Sequence, residues 1–191
     1  VHESINIPEK FNLPKNEKII LFVGSDFSRK GLDRAILGIS HLLKQNISAT
    51  LLVLGDDNKD PYEKIIKELS LNDRVIFLGP RKDVASFMKS SHLLVHPARE
   101  EAAGNIIIEA LVSGLPSLVS SEVGFSTEVL KHKSGMVVEG EFKQERFNFL
   151  LEESLSYEKL TSVREIIKPL ASNNYFYSRF NFVADFIEEA F

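Results

Sequence analysis

Short apolar runs alternate with longer amphipathic segments along most of this chain. The first apolar run, 18–23, reads Lys-Ile-Ile-Leu-Phe-Val and stops at Gly24. In the segment that follows, 32–44, apolar residues recur every three or four positions. The continuous apolar run predicts a strand buried on both faces, and the longer repeat predicts an amphipathic helix.

The alternation continues and predicts an α/β fold. Further strands are expected at 49–54, 74–78, 92–95, 116–119 and 136–138. Further helices are expected at 62–69, 84–88 (with Asp83 as the cap), 105–113, 127–132, 145–155, 157–170 and 175–191. Strands that alternate with helices form parallel βαβ units, so we predict a Rossmann-like, doubly wound parallel sheet of about six strands with C-terminal helices.

The beginning of the chain differs from the rest. Residues 1–15 are polar with two prolines, and Val1 is neither an initiator methionine nor the start of a signal-peptide pattern. We interpret 1–15 as a linker from an N-terminal domain outside the chain, and 16–191 as one domain. Part of an active site would then lie in the other domain.

Composition narrows the possible functions. The net charge of −4 gives no overall basic field for nucleic acid or an anionic membrane. The absence of cysteine excludes disulfides and thiol catalysis, and it is compatible with a cytosolic protein. No apolar run approaches the roughly 18 residues of a membrane span. No standard phosphate loop or G-x-G-x-x-G sequence is present, so a bound nucleotide would need other groups for its phosphates.

Several strands end at a glycine or a polar loop. Gly24, Gly55 and Gly79 follow the first three strands, and the loop 96–104 follows the fourth. Ligands of open parallel sheets bind outside the carboxyl ends of the strands. These loops therefore predict one ligand site along a single edge of the sheet.

The stretch 96–110 carries two glutamates. Glu109 lies in a helix that is otherwise apolar almost all round, where a buried carboxylate is costly unless it is hydrogen-bonded. Its carboxylate could accept hydrogen bonds from two hydroxyl groups, such as those of a ribose diol. Glu101 lies in the loop before the helix, and Gly104 would let the backbone approach a ligand closely, with the next N–H groups near a phosphate. Alternatively, both glutamates bond to local backbone or a lysine.

Arg29 and Lys30 follow the first strand and precede a helix. A guanidinium and an ammonium at this edge suit a diphosphate, although a solvated surface pair is the simpler reading. Arg81, in the loop after Gly79, could lie beneath a base. His96 could orient its loop, touch a ligand, or simply bond to backbone.

Neither the histidines nor the acidic loop 55–60 predicts a metal site. The histidines lack ligand spacing. The acidic loop fails the calcium-loop template because Pro61 stands where glycine is needed and Lys67 where the last glutamate should be. We read this loop as a solvated turn that caps the next helix.

Together these residues resemble the C-terminal, donor-binding half of the GT-B glycosyltransferases, in the large retaining family often called family 4. Glu101 and Glu109 stand in the family's relation of a glutamate, seven residues and a second glutamate, and Arg29-Lys30-Gly31 resembles its diphosphate clamp. The stretches 24–34 and 96–104, and the sequence at 81–84, are similar to the lipopolysaccharide core glucosyltransferases within it. Val123-Gly124-Phe125 departs from a Gly-Gly pair that is common in the broad family.

The resemblance implies a role for each group. Glu109 would hold the ribose hydroxyls and Glu101 the sugar hydroxyls, while Arg29 and Lys30 would stabilise the departing diphosphate without a metal or a cofactor. The transfer would retain anomeric configuration. The donor is expected to contact Gly24, Gly55, Gly79, Arg81, Val84, His96, Ala102, Ala103, Gly104, Asn105 and Glu109.

The resemblance also implies substrates and a location. UDP-glucose would be the donor, and the lipopolysaccharide core would be the acceptor, bound through the N-terminal domain. The full protein would be cytoplasmic, with a peripheral position at the inner membrane as an option. A nucleotide-sugar epimerase and a non-catalytic nucleotide-binding module remain as alternatives. The aromatic segment 175–191 would either pack in the core or cross back to the other domain.

Overall fold

The computed structural model describes residues 4–171, which form a six-stranded, fully parallel sheet in the order β3-β2-β1-β4-β5-β6. The strands are β1 (Lys18–Val23), β2 (Ala49–Leu54), β3 (Val75–Gly79), β4 (Leu93–His96), β5 (Ser117–Ser120) and β6 (Gly135–Val138). This is the predicted Rossmann-like sheet. The chain leaves β1 in one direction and later resumes at β4 on its other side, so the order reverses between these two strands.

Eight helices lie within the described residues. They are α1 (Ile7–Lys10), α2 (Leu32–Lys44), α3 (Asp60–Glu68), α4 (Val84–Ser90), α5 (Asn105–Val112), α6 (Ser126–Lys131), α7 (Gln144–Ser154) and α8 (Tyr157–Ala171). Apart from α1, every one was predicted to within two residues at each end. The predicted helix at 175–191 lies outside the described residues.

The core has one layer on each face of the sheet. On one face, Phe22 and Val95 pack with Ile36 of α2 and Phe147 of α7. On the other face, residues such as Leu21 pack with α4 and α5. Alternate residues of the central strands enter opposite layers, which is why β1 and β2 read as continuous apolar runs. Within residues 4–171, no helix has the length and hydropathy of a membrane span.

The beginning of the described chain is more ordered than a linker. Residues Ile7–Lys10 form α1, and the Asn6 side chain accepts a hydrogen bond from the backbone N–H of Glu9 at 3.4 Å. Ile7 is fully buried against the second core layer, together with the partly buried Phe11 and Leu13. The stretch interpreted as a linker therefore contains a docked helix, because three apolar side chains in a polar stretch suffice to hold it against the core. Its connection to an N-terminal domain stays a prediction.

The topological switch point lies between β1 and β4. In a doubly wound sheet, the loops leaving these two strands diverge and open a crevice at their carboxyl ends. Here they are the loop 24–31 and the loop 97–104, which carry Arg29, Lys30 and Glu101. The fold itself thus brings the two predicted charge centres to one place.

A buried glutamate stabilises the opposite edge of the sheet. Glu17, which is 1% exposed, accepts hydrogen bonds from the hydroxyls of Ser48 at 2.6 Å and Thr50 at 2.8 Å, and from Arg74 at 2.8 Å. Ser48 and Thr50 lie at the start of β2, and Arg74 directly precedes β3. The network therefore joins the starts of three adjacent strands.

Replacing Glu17 by alanine should destabilise the domain by about 2–3 kcal/mol, because a buried charge-assisted network loses its acceptor and leaves Arg74 unpaired. Urea unfolding followed by circular dichroism measures this change. Glu63→Ala, which removes an exposed pair with Lys59, is the matched control and should have little effect. Equal midpoints for the two variants would contradict the structural role of Glu17.

Candidate functional site

The loop after β1 is held by an aromatic side chain. Phe27 is buried and contacts the rings of Phe22 and Tyr62 edge-on at 6.1 and 5.8 Å between centroids. Its backbone N–H donates to Asp57 Oδ2 at 2.7 Å. The anchored Phe27 leaves Ser28 and Arg29 at the rim of the crevice, and α2 begins immediately after Gly31.

Gly31 sets how closely the two loops approach. It has φ +76°, and a Cβ at this position would lie 2.1 Å from the carbonyl oxygen of Pro97. Any other residue would be strained by its backbone conformation and would push the loops apart. The glycine therefore allows the cation-bearing loop to contact the glutamate-bearing loop directly.

Two arginines tie these loops together in opposite directions. Arg99 donates its backbone N–H to Arg29 O at 2.7 Å and its guanidinium to Ser28 O at 2.7 Å, and it forms a two-pronged pair with Asp33. From α2, Arg34 reaches back to Pro97 O at 3.0 Å and Ala98 O at 3.2 Å. The relative position of the loops is thus fixed by charge-assisted bonds at both ends.

Arg99, Asp33 and Arg34 were not predicted as functional residues. Their signal in the sequence is weak, because each is a single charge in an ordinary loop or first helical turn. The Cζ atom of Arg34 lies 3.7 Å from the ring centroid of Phe142, which is far away in the sequence, and this is an attractive cation–π geometry. Only the fold shows that these three residues meet.

The centre of the site is a cluster of opposite charges. Glu101 Oε2 accepts hydrogen bonds from Lys30 Nζ at 2.6 Å and from Arg29 at 3.2 Å. Arg29 is also paired with Asp26 at 2.7 Å. Lys30 and Glu101 are only 16% and 15% exposed, whereas Arg29 is 39% exposed. The structure therefore brings together the three residues that were predicted to be catalytic.

The surroundings of Glu101 favour its charged form. Burial by itself would raise the pKa of this carboxyl, but the hydrogen bond from Lys30 and the charges of Lys30 and Arg29 outweigh burial and lower the pKa. Glu101 is consequently a carboxylate at neutral pH. At neutral pH it can accept hydrogen bonds from hydroxyl groups, and it cannot serve as a proton donor.

His96 lies beside this cluster with its ring fully buried at the end of β4. Neither ring nitrogen makes a hydrogen bond within residues 4–171, and Nε2 lies 3.8 Å from Glu101 Oε2. That distance is too long for a hydrogen bond. Burial first, and then Lys30, lower the pKa of His96 to about 4, so the ring is neutral. Of the three roles considered for His96, backbone bonding is not observed within residues 4–171, and a direct ligand contact stays a prediction.

Gly104 has a structural role that the sequence did not indicate. It has φ +80°, and a Cβ would lie 2.4 Å from Val123 Cγ1. The loop before it is paired with the segment after β5: Gly124 N–H donates to Glu101 O at 3.0 Å, and Phe125 N–H to Ala103 O at 2.8 Å. Gly104 is itself buried, so its need for glycine arises from packing, and a ligand is not required to explain it.

Glu109 differs from the expectation of a buried carboxylate. The residue is exposed on α5, one turn beyond the exposed Asn105. Partial desolvation by the surrounding protein nevertheless raises the pKa of its carboxyl. Within residues 4–171, no group donates a hydrogen bond to its carboxylate. The alternative in which Glu109 bonds to a local lysine or backbone is therefore not observed within the described chain.

The glycines at the strand ends fall on the predicted edge. Gly55 has φ +150°, and a Cβ there would lie 2.2 Å from the carbonyl oxygen of Gly24. In turn, a Cβ on Gly24 would lie 2.6 Å from the Lys30 side chain. Gly79 ends β3, and its carbonyl accepts the N–H of Gly55 at 3.0 Å. Gly24 and Gly55 therefore let the loops stack closely under Lys30, whereas a Cβ on Gly79 would meet nothing within 4 Å.

The acidic loop was only partly understood from the sequence. Residues 56–60 are exposed, as expected for a solvated turn, and Asn58 Oδ1 accepts the N–H of Asp60, the first residue of α3, at 3.0 Å. In addition, Asp57 accepts the N–H groups of Phe27 and Asn58 at 2.7 Å each, which the sequence did not indicate. The loop thus braces the Arg29–Lys30 loop. Within residues 4–171, no group of three or more His, Cys, Asp or Glu side chains is placed to hold a metal ion. Whether the site works without a metal stays a prediction.

The loop around Arg81 differs in one detail from the expectation. Arg81 forms a two-pronged pair with Asp83 at 2.8 and 2.7 Å and lies 5.3 Å from the ring centroid of Phe87. Asp83 makes no side-chain cap on α4, so its assignment as a cap is wrong: Arg81 competes for its carboxylate. Val84 packs partly against the core. A contact of Arg81 or Val84 with a base stays a prediction.

Replacing Lys30 by methionine should raise the pKa of Glu101 relative to the wild type, because burial remains while the strongest opposing partner is removed. Carbon-13 NMR titration of the glutamate carboxyls measures the change. In the wild type, a pKa below the ordinary 4.5 means that the ion pair adds stability above about pH 4.5 and loses it as pH falls through the folded-state pKa. Lys59→Met is the control, and an unchanged Glu101 titration in Lys30→Met would contradict the pairing.

The chain is similar in sequence to known proteins. The family model described as "Glycosyl transferases group 1" matches residues 3–168. The chain is 35% identical over 153 residues to the lipopolysaccharide glucosyltransferase WaaG of Escherichia coli K12, and this match covers 80% of the chain and 41% of that protein. The chain therefore spans less than half the length of this relative.

Two solved structures show the same fold. The crystal structure of WaaG, described as a glycosyltransferase involved in lipopolysaccharide biosynthesis, matches with a TM-score of 0.86 at 32% identity over 94% of this chain and 49% of that one. The structure of HepE from Anabaena in complex with UDP-glucose matches with a TM-score of 0.77 at 20% identity, over 98% and 54%. The second likeness concerns the fold alone.

Proposed function

Because the chain belongs to the glycosyl transferases group 1 family, as its resemblance predicted, we propose that it binds the nucleotide-sugar donor of a retaining glycosyltransferase. The observation that carries this proposal is the cluster of Arg29, Lys30 and Glu101 at the switch point of the sheet. Two cations and one carboxylate there match the two chemical parts of a sugar diphosphate. The donor we propose is UDP-glucose, which is bound in the HepE structure.

The cations would act on the leaving group. As the bond from sugar to diphosphate breaks, negative charge grows on the phosphate oxygens. Lys30 and Arg29 are held at this edge of the sheet by Glu101 and Asp26 before any ligand binds, so they are in place to stabilise that charge. Glu101 would bind sugar hydroxyls and would not attack the sugar.

The exposed Glu109 would hold the ribose. Its carboxylate can accept two hydroxyl hydrogen bonds, and partial desolvation strengthens such bonds. Between the two glutamates, the exposed Ala102 and Asn105 and the partly exposed Ala103 line the approach to α5. These contacts follow from the family resemblance and from the shared edge of the sheet.

The full reaction would need residues beyond this chain. The chain matches less than half of WaaG, and its edge of the sheet forms one wall of a cleft. We propose that an N-terminal domain binds the acceptor, that the acceptor is the lipopolysaccharide core, and that the protein works in the cytoplasm, peripherally at the inner membrane. The chain alone would then bind donor weakly and transfer almost no sugar.

Replacing Lys30 by alanine should weaken UDP binding by about tenfold or more, because a charge-assisted bond to phosphate is lost. Isothermal titration of the 191-residue chain with UDP and UDP-glucose measures this. Binding should also weaken with rising salt. Lys59→Ala, which changes an exposed lysine on another loop, is the control and should bind like the wild type.

Failure of the wild type to bind either nucleotide at millimolar concentration would refute the proposal. So would equal binding by the wild type and the folded Lys30→Ala variant. In the longer protein, formation of an epimer from UDP-glucose without any acceptor would instead support an epimerase. Intact turnover after Glu109→Gln would support a binding module whose chemistry lies elsewhere.

Replacing Glu109 by glutamine should weaken UDP binding about five- to tenfold and leave pyrophosphate binding unchanged, since only UDP carries a ribose. Glutamine keeps the size of the side chain but removes the charge that strengthens both hydroxyl bonds. Titration with the two ligands separates these effects. Glu152→Gln, on α7 beside His41, serves as the control, and equal losses for both ligands would argue against a ribose contact.

A further inference from the structure

The proposed function leaves Glu101 with a difficulty. The same oxygen, Oε2, accepts both Lys30 at 2.6 Å and Arg29 at 3.2 Å. A bound diphosphate would compete for these cations, because it carries more negative charge than one carboxylate. Glu101 would then lose its two strongest partners at the moment when it is needed to bind the sugar.

The ring of His96 lies beside Glu101 and could become its hydrogen-bond partner. His96 Nε2 lies 3.8 Å from Oε2, and no described residue occupies either ring nitrogen. A shift of about 1 Å would bring Nε2 and Oε2 to hydrogen-bond distance. The backbone of Glu101 is held by Glu122 and Gly124, but its side chain is partly exposed. His96 is fully buried and ends a central strand that pairs with β5. The carboxylate is therefore the partner that can move.

We propose that His96 is a positioning residue, which forms a hydrogen bond with Glu101 when the diphosphate pairs with Lys30 and Arg29 in place of Glu101. In this exchange, the neutral imidazole donates its Nε2–H to Glu101 Oε2, and the second carboxylate oxygen remains free for sugar hydroxyls. No proton is transferred. The inference rests on the proposed function and specifies how that site holds its carboxylate once the ligand has entered.

Other roles for His96 fit the structure less well. Its ring is fully buried, which favours contact with Glu101 over direct contact with a ligand. Its pKa is lowered to about 4 by burial and by Lys30, so it stays neutral near pH 7 and offers no extra positive charge to phosphate. A buried polar ring without a partner is disfavoured, and an intermittent partner gives a reason for its presence.

Glutamine and asparagine separate this role from simple packing. Glutamine can place an amide nitrogen near the position of Nε2, whereas asparagine reaches only about as far as Nδ1. Both are polar and neutral. Each variant of the 191-residue chain would be titrated with UDP-glucose and with uridine, which lacks phosphate and leaves the Lys30–Glu101 pair intact.

His96→Asn should weaken UDP-glucose binding about tenfold, and His96→Gln should stay within about threefold of the wild type. Uridine binding, followed by NMR, should be the same in all three proteins. Equal losses for UDP-glucose and uridine, or equal behaviour of the two variants, would overturn the inference. Absence of UDP-glucose binding by the wild type would instead refute the proposed function itself.

Proton–nitrogen-15 correlation NMR of the histidine rings provides a second measurement, which needs no variant. Saturating UDP-glucose should shift the His96 Nε2–H proton downfield, as expected for a new bond to a carboxylate, whereas uridine should leave it in place. His92, whose Nδ1 accepts Ile19 N–H at 2.9 Å, is the internal reference. A His96 signal that does not respond to bound UDP-glucose would overturn the proposal even if both variants failed to fold.

Discussion

The close approach of Gly31 to the carbonyl of Pro97 determines the geometry of this site. Because Gly31 lacks a Cβ, the loop after β1 and the loop after β4 touch, although they leave the sheet at the point where its strand order reverses. Arg99 and Arg34 then hold the two loops in register. Without this contact, Lys30 and Glu101 would sit on separate walls of the crevice.

That proximity has an electrostatic consequence. Arg29 and Lys30 balance Asp26 and Glu101, so the cluster is neutral without any ligand. Cations that are already paired are held in place, which lowers the cost of organising them around a phosphate. The same pairing must be broken when an anion binds, so the preorganisation of the site and its affinity oppose each other. The exposed Arg29 can adjust more easily than the partly buried Lys30.

The sequence predicted the sheet and its helices well because their periodicity is strong. It failed at α1, where only a few apolar residues in a polar stretch decide whether the chain docks. Lys30 and Glu101 could be predicted to share one site because strand ends share an edge and because the glutamate spacing resembles a family. Arg99 and Asp33 could not, since their pairing depends on the angle at which two loops diverge, and a single sequence does not encode that angle locally.

The two glutamates show why exposure decides chemistry more than composition does. Glu109 lies in an almost wholly apolar helix, which suggested burial, yet its face of α5 is the one that the crevice leaves open. Glu101 lies in a loop, and loops are usually at the surface, yet the contacts of its loop with the segment after β5 leave it largely covered. The covered carboxylate has its pKa lowered by cations, and the exposed one has its pKa raised by desolvation. Of the two glutamates, only Glu101 is paired with Lys30 and Arg29. The geometry of the loops thus places one glutamate in a charge-paired position and the other in a solvent-facing one.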